Sequence, residues 1–148
     1  MGKYDSLKLE NQLCFPLYAA SKEVIKQYTP ILEKLDLTYT QYLSMLILWQ
    51  EDGISVKEMG NKLFLDSGTM TPVLKSLEKK GYVERHRCPQ DERIMIIKLT
   101  PDGLALRDEA LTVPVHVGSC IHLEPNEAME LYRLLYKVLG GLKAQQEE

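Results

Sequence analysis

The feature that most constrains this chain is a change of period at Gly81. Upstream, apolar residues return every three or four positions. Downstream, Tyr82–Arg87 and Ile94–Leu99 are rich in β-branched and long side chains, with Cys88-Pro89-Gln90-Asp91-Glu92 between them. A period of about 3.6 and one of about 2 cannot share an element. A helix therefore stops at Gly81 and a β-hairpin follows it.

The helices around this point carry start signals. Leu13, Leu17, Ala20, Val24 and Tyr28 form one apolar stripe, and Pro16 either opens that helix or bends it. Thr29-Pro30 reads as cap and first residue of a short second helix. Thr38 with Gln41 is a capping box that opens YTQYLSMLILWQ, and Ser55 with Glu58 is another that opens VKEMGNKLF. Leu65-Asp66-Ser67-Gly68 is a turn and cap, after which Met70, Val73, Leu74 and Leu77 mark one face. Beyond the hairpin, Thr100-Pro101 starts a helix that Pro114 interrupts or ends. Glu124-Pro125-Asn126-Glu127 starts the last, with Met129, Tyr132, Leu135, Leu139 and Leu142 on one side.

A helix pair followed by a charged hairpin is a winged helix-turn-helix. The expected fold is mainly α with a small β-hairpin wing, as one domain over residues 1–148. The winged segment spans about 54–100, with dimerisation helices at about 5–35 and 101–146. The outer helices carry more apolar face than one subunit of this size buries, so a twofold homodimer is expected.

The net charge of −3 argues against a polyanionic partner until its distribution is read. Between Ile54 and Lys98 there are nine Lys/Arg and six Asp/Glu, a net +3 that leaves −6 on the rest. A basic middle in an acidic chain is a local electrostatic footprint. No apolar run approaches the ~18 residues of a membrane span, and the N-terminus lacks a signal-peptide core. Three widely spaced cysteines make neither a disulfide framework nor a zinc signature, and His86, His116 and His122 are scattered. The expectation is a reducing cytoplasm, no membrane partner, no metal and no cofactor.

Within the winged segment, Ser67, Thr69 and Thr71 are short hydrogen-bonding side chains in the first turn of a helix. Such a helix can enter the major groove, and its N-terminus suits phosphates. Pro72 restricts the same turn and can touch a thymine methyl. Lys75 lies one turn on, within reach of backbone or guanine. Arg85, His86, Arg87 and Arg93 decorate the hairpin, and Asp91 can pair with Arg93 to hold the wing in shape.

The stretch SGTMTPVLKSLEKKG, the triplet Asp91-Glu92-Arg93, then Leu99-Thr100 and Gly103 together resemble the core signature of the MarR family of repressors. That resemblance implies double-stranded operator DNA as the partner, with a wing arginine in the minor groove. The segments LENQLCF and LYA, with LDLTYTQYLSMLILW and FLDSGTMTP, resemble one branch in particular, the organic hydroperoxide sensors (OhrR). By residue type alone Cys14 reads as a small buried hydrophobe. The resemblance instead makes it the peroxide-reactive thiol, with Tyr28 and Tyr39 supplied from elsewhere in the dimer as donors to its sulfur. It also makes Cys120 a candidate resolving thiol. Cys88, at the wing turn, is incidental. Pro16 departs from the pattern and bears on where the thiol sits.

The implied function is a redox-sensing repressor, not an enzyme: it binds operator DNA when reduced and releases it when an organic hydroperoxide oxidises Cys14. The alternative is a repressor of the same fold released by a small aromatic ligand, with Cys14 inert. A thiol peroxidase would leave the DNA-reading segment without a purpose.

Overall fold

Side-chain caps set most helix starts in this chain. The computed structural model describes residues 1–147. After short 3-10 turns at Asp5–Leu7 and Leu9–Asn11 come α1 (Cys14–Glu33), α2 (Tyr39–Gln50), β1 (Ile54–Ser55), α3 (Val56–Leu63) and α4 (Ser67–Lys79). They are followed by β2 (Val83–Cys88), β3 (Asp91–Leu99), α5 (Pro101–Glu109), α6 (Thr112–Cys120) and α7 (Pro125–Glu147). Thr38 Oγ1 accepts from Gln41 N, and Gln41 Oε1 accepts from Thr38 N, so that capping box is complete. Ser55 Oγ accepts from Glu58 N at 3.1 Å, Asp66 Oδ1 from Thr69 N at 2.7 Å and Thr100 Oγ1 from Gly103 N at 3.1 Å. Each such cap contributes about 1 kcal/mol.

Both prolines expected to break helices sit inside them. Thr29-Pro30 starts nothing: α1 runs through Pro30 to Glu33. Proline costs that turn one backbone hydrogen bond, but Tyr28, Ile31 and Leu32 continue the apolar stripe onto the core and outweigh it. Pro114 does not end the helix before it. α5 has already stopped at Glu109, and Pro114 is the third residue of α6, where its missing N–H has no intrahelical partner to lose. Pro16 is tolerated in the first turn of α1 for the same reason.

Gly81 terminates α4 with φ +85°, and the hairpin follows. β2 and β3 are antiparallel, with Val83 opposite Leu99 and Arg85 opposite Ile97, and the register shifts between Arg87 and Cys88. The strands reach further into the turn segment than expected, leaving Pro89-Gln90 as the tip. A third strand, β1, pairs Ile54 with Ile97. The core lies among α2, α3, α4 and the hairpin, filled by Met45, Leu48, Met59, Met70, Leu74, Leu77 and Ile97, with Leu32 and Leu106 added from α1 and α5. Gly103 packs so closely on β2 that a Cβ there would collide with the Tyr82 carbonyl oxygen.

The chain divides into two compact units, Met1–Gly118 and the segment from Ser119 onward. In the second, α7 presents Met129, Tyr132, Tyr136 and Leu142 as exposed side chains.

Candidate thiol site and nucleic-acid interface

α3, α4 and the hairpin enclose a cleft of about 890 Å³, lined by Lys57, Asn61, Ser67, Thr71, Lys75, Arg85, Arg87 and Arg93 among others. Asp66, not Ser67, caps α4, and the backbone N–H of Thr69 lowers its carboxyl below the ordinary range. Ser67, Thr69 and Pro72 are exposed and Thr71 half-buried in the first turns of the helix. The Thr71 hydroxyl donates to Ser67 O at 2.8 Å.

The wing is braced from within. Arg93 Nε and Nη2 donate to the two carboxylate oxygens of Asp91, each at 3.1 Å, and the Arg93 backbone N–H donates to Asp91 Oδ1 at 3.0 Å. This bidentate clamp depresses the Asp91 carboxyl, the Arg93 side chain being the main cause. The Arg93 side chain is nevertheless 90% exposed. It is held in orientation by Asp91 while remaining open to solvent. Arg87 Nη1 donates across the hairpin to Glu92 O at 3.0 Å. Arg85 turns back to Glu78 of α4 at 3.2 Å and locks the wing base to the helix.

Cys14 is the first residue of α1, the end at which unpaired N–H groups favour negative charge. It is exposed, as are its neighbours Leu13 (88%), Phe15 and Leu17. Tyr28 lies fourteen residues along the same helix. At about 1.5 Å per residue, that places it about 21 Å from Cys14, beyond the span of any side chain. The Tyr28 ring packs against Tyr39 in a tilted contact with centroids 4.7 Å apart and lies 5.9 Å from Tyr42. Burial raises all three phenols above their ordinary value, so they remain hydrogen-bond donors. One chain thus builds a tyrosine cluster and a thiol that cannot meet within it.

Tyr42 was not singled out from sequence. Its spacing of three from Tyr39, on a helix capped at Thr38, puts the two rings on one face and could have revealed it. Cys120 is the last residue of α6, half-buried. Cys88 Sγ donates to Gln90 Oε1 at 3.2 Å in the wing turn. Among the described residues, no group of three His, Cys, Asp or Glu converges to hold a metal.

Residues 26–109 match the family model for the transcriptional regulators SarA/Rot. The organic hydroperoxide resistance transcriptional regulator of Bacillus subtilis is 47% identical over 144 residues, covering 95% of this chain and 96% of that protein. This chain belongs to that regulator family, in the organic hydroperoxide sensor branch of the wider MarR family. The fold of the family is the one seen here. An Escherichia coli MarR variant complexed with operator DNA superposes with a TM-score of 0.80 at 25% identity, over 94% of this chain and 99% of that one. Reduced AbfR bound to DNA superposes at 0.80 and 35% identity, over 97% and 99% of the two chains. Disulfide-formed AbfR, at 34% identity and 99% and 97% coverage, reaches only 0.62. At matched identity, this chain is nearer in shape to the reduced, DNA-bound member of that pair.

Proposed function

We propose that this chain is a redox-switched transcriptional repressor of the cytoplasm. As a homodimer it binds double-stranded operator DNA while Cys14 is reduced, and it lets go when an organic hydroperoxide oxidises that thiol. The observation that carries the reading is the separation of Cys14 from Tyr28 and Tyr39 within one chain. A thiol at the head of one α1 and a phenol cluster at its far end complete a site only when two chains lie antiparallel across each other.

The chemistry follows from the parts. A thiolate, not a thiol, is the nucleophile. Its Sγ attacks the terminal oxygen of the hydroperoxide and the O–O bond breaks. Sulfur keeps one oxygen as the sulfenic acid, and the alkoxide leaves and takes a proton to become the alcohol. Tyr28 and Tyr39 of the partner donate to the thiolate and hold it in place. Exposed Leu13, Phe15 and Leu17 supply an apolar approach that favours a hydrocarbon-bearing peroxide. The sulfenic acid then condenses with a second thiol, forming a disulfide and releasing water; Cys120 is that thiol in this reading. Loss of the sulfur–phenol contacts shifts the spacing of the two α4 helices, which no longer fit half-sites one helical turn apart. On the DNA, Ser67, Thr69, Thr71, Pro72 and Lys75 read the major groove, Arg93 enters the minor groove, Arg87 meets the backbone, and Asp91 positions Arg93.

The test is operator binding before and after one equivalent of an organic hydroperoxide. Cys14→Ser should bind DNA and ignore peroxide. Release of DNA by that variant on peroxide treatment would replace this reading with a repressor released by a small aromatic ligand. Cys120→Ser should lose the disulfide by mass and need an added small thiol for lasting release.

A further inference from the structure

The two sites described above are joined by a polar strut. Gln41 lies in the first turn of α2, between Tyr39 and Tyr42, and is 5% exposed. Its amide meets three partners at once, one in its own helix cap, one on α4 and one just past the end of α4. Oε1 accepts from Thr38 N at 3.0 Å and from Lys80 Nζ at 2.8 Å, and Nε2 donates to Ser76 Oγ at 2.9 Å. Ser76 belongs to α4, the helix that carries Ser67 and Thr69. Lys80, just past the end of α4, also donates to Asp36 O at 2.7 Å and pairs with the Asp36 carboxylate at 3.5 Å. Asp36 holds the left-handed φ of +55°, which a side chain other than glycine rarely adopts. Tyr82 OH donates to Leu35 O at 3.1 Å. The Ser76 and Lys80 contacts run from the α1–α2 corner, with Tyr28 on one side and Tyr39 on the other, to the back end of the DNA-reading helix; the Tyr82 contact reaches the same corner from just beyond that helix, and the Thr38 contact stays within the α2 cap.

We infer that Gln41 is a positioning residue that couples the tyrosine cluster to α4, with Ser76 and Lys80 as its receivers. A glutamine that only capped α2 needs Thr38 and nothing more. This one saturates its carbonyl oxygen with a backbone N–H of its own helix and a cation from the other element, and spends its N–H on a hydroxyl of α4. Around a buried amide such contacts are stiffer than at the open surface, and leaving the Gln41 amide unpaired is costly. A shift at the start of α2 is therefore passed to α4 rather than absorbed at the corner. The inference rests on the redox reading above, because it names how oxidation at Cys14 reaches the DNA-reading helix.

The experiment compares operator Kd for reduced and peroxide-oxidised dimer, together with the rate of Cys14 sulfenic acid formation. It covers the parent, Gln41→Leu, Gln41→Glu and Ser76→Ala. Gln41→Leu should leave the oxidation rate and the reduced Kd close to the parent. The ratio of oxidised to reduced Kd should shrink by about fivefold, a typical effect for one member of a coupling network. Ser76→Ala, which removes a single hydroxyl, should shrink the ratio in the same direction and keeps the test open if Gln41→Leu folds poorly. Gln41→Glu, which still accepts from Thr38 and Lys80 and can accept from Ser76, should restore the parent ratio. An unchanged ratio in Ser76→Ala and in a folded Gln41→Leu overturns the inference. So does an equal weakening of both Kd values, which marks a merely structural role. A parent that keeps its DNA on oxidation overturns the functional reading, and this inference with it.

Discussion

The segment from α2 to β3 and the N-terminal half of α1 are both rich in apolar side chains and meet opposite fates in a single chain. In the first, Met45, Met59, Met70, Leu74, Leu77 and Ile97 are sealed from solvent, and every helix start is capped by a side chain. In the second, Leu13, Phe15, Leu17 and Tyr18 are exposed, no side chain caps Leu13, and the only fully buried residue of the 20-residue helix is Leu32, near its other end. Most of a helix's stability in a protein comes from packing its apolar face, and this half packs almost none of its own. The winged body is packed within one chain, whereas the arm that bears Cys14 leaves its apolar side chains exposed. In the function proposed above, such a chain keeps its reading head rigid while its sensor depends on what the partner holds.

Core truncation sharpens the contrast most. Leu74→Ala should cost about 2–5 kcal/mol of unfolding free energy, read from the denaturant midpoint, because a fully buried side chain leaves a cavity. Leu13→Ala, at the exposed arm, should barely move that midpoint. Next in size, Met129→Lys with Tyr132→Lys on the exposed face of α7 should raise the dimer dissociation constant by about a hundredfold in sedimentation equilibrium, since burying an unpaired charge costs several kcal/mol. The circular dichroism of the winged body should be retained. A dimer as tight as the parent would place the second copy elsewhere. Arg93→Ala should weaken operator binding by about tenfold and lower the salt slope by about one, with no change in redox response. Asp91→Asn is the smallest. Asp91 titrates below its ordinary 3.8 because Arg93 pairs with it. A depressed carboxylate contributes at neutral pH and is lost only as pH falls through its lowered value. Because the pair is exposed to solvent, that contribution to stability is small, so the variant should weaken DNA binding a few-fold at pH 7 and move the thermal midpoint little. A parent-like affinity would mean that Arg93 needs no clamp.

Where a local signal and the tertiary packing agreed, the sequence was a sufficient guide. The Thr38–Gln41 box, the Asp66 turn, the period change at Gly81 and the Asp91–Arg93 pairing are all contacts between residues close in the chain. It misled where a local signal was overruled from a distance. Thr29-Pro30 has every mark of a helix start, yet Ile31 and Leu32 reach a core formed by α2 to α5, and their burial carries α1 past it. The two-residue strand β1 has no period of its own and exists only because Ile97 is there to pair with Ile54. At the sites, the sequence pointed to the exposed first turn of α4, where Ser67, Thr69 and Pro72 lie, and the resemblance pointed to Cys14, which is exposed at the head of α1. Tyr42 left a mark, its spacing of three from Tyr39, whereas the strut from Gln41 to Ser76 did not, because a partner thirty-five residues away leaves none in local spacing.

The central claim is that the peroxide sensor is assembled from two chains, and a mixed dimer tests it most directly. One chain carries Cys14→Ser, the other Tyr28→Phe with Tyr39→Phe, and the two are co-expressed with different tags and purified as the heterodimer. If the thiol of one chain answers to the phenols of the other, the heterodimer holds one intact pairing: its single Cys14 faces the unmodified tyrosines of its partner. Sulfenic acid should then form at the parent rate, whereas the Tyr28→Phe, Tyr39→Phe homodimer reacts about tenfold slower, each phenol contributing a charge-assisted donor to the sulfur. Oxidation of the heterodimer at the slow rate of that homodimer would contradict the account, because it would place Cys14 under the tyrosines of its own chain.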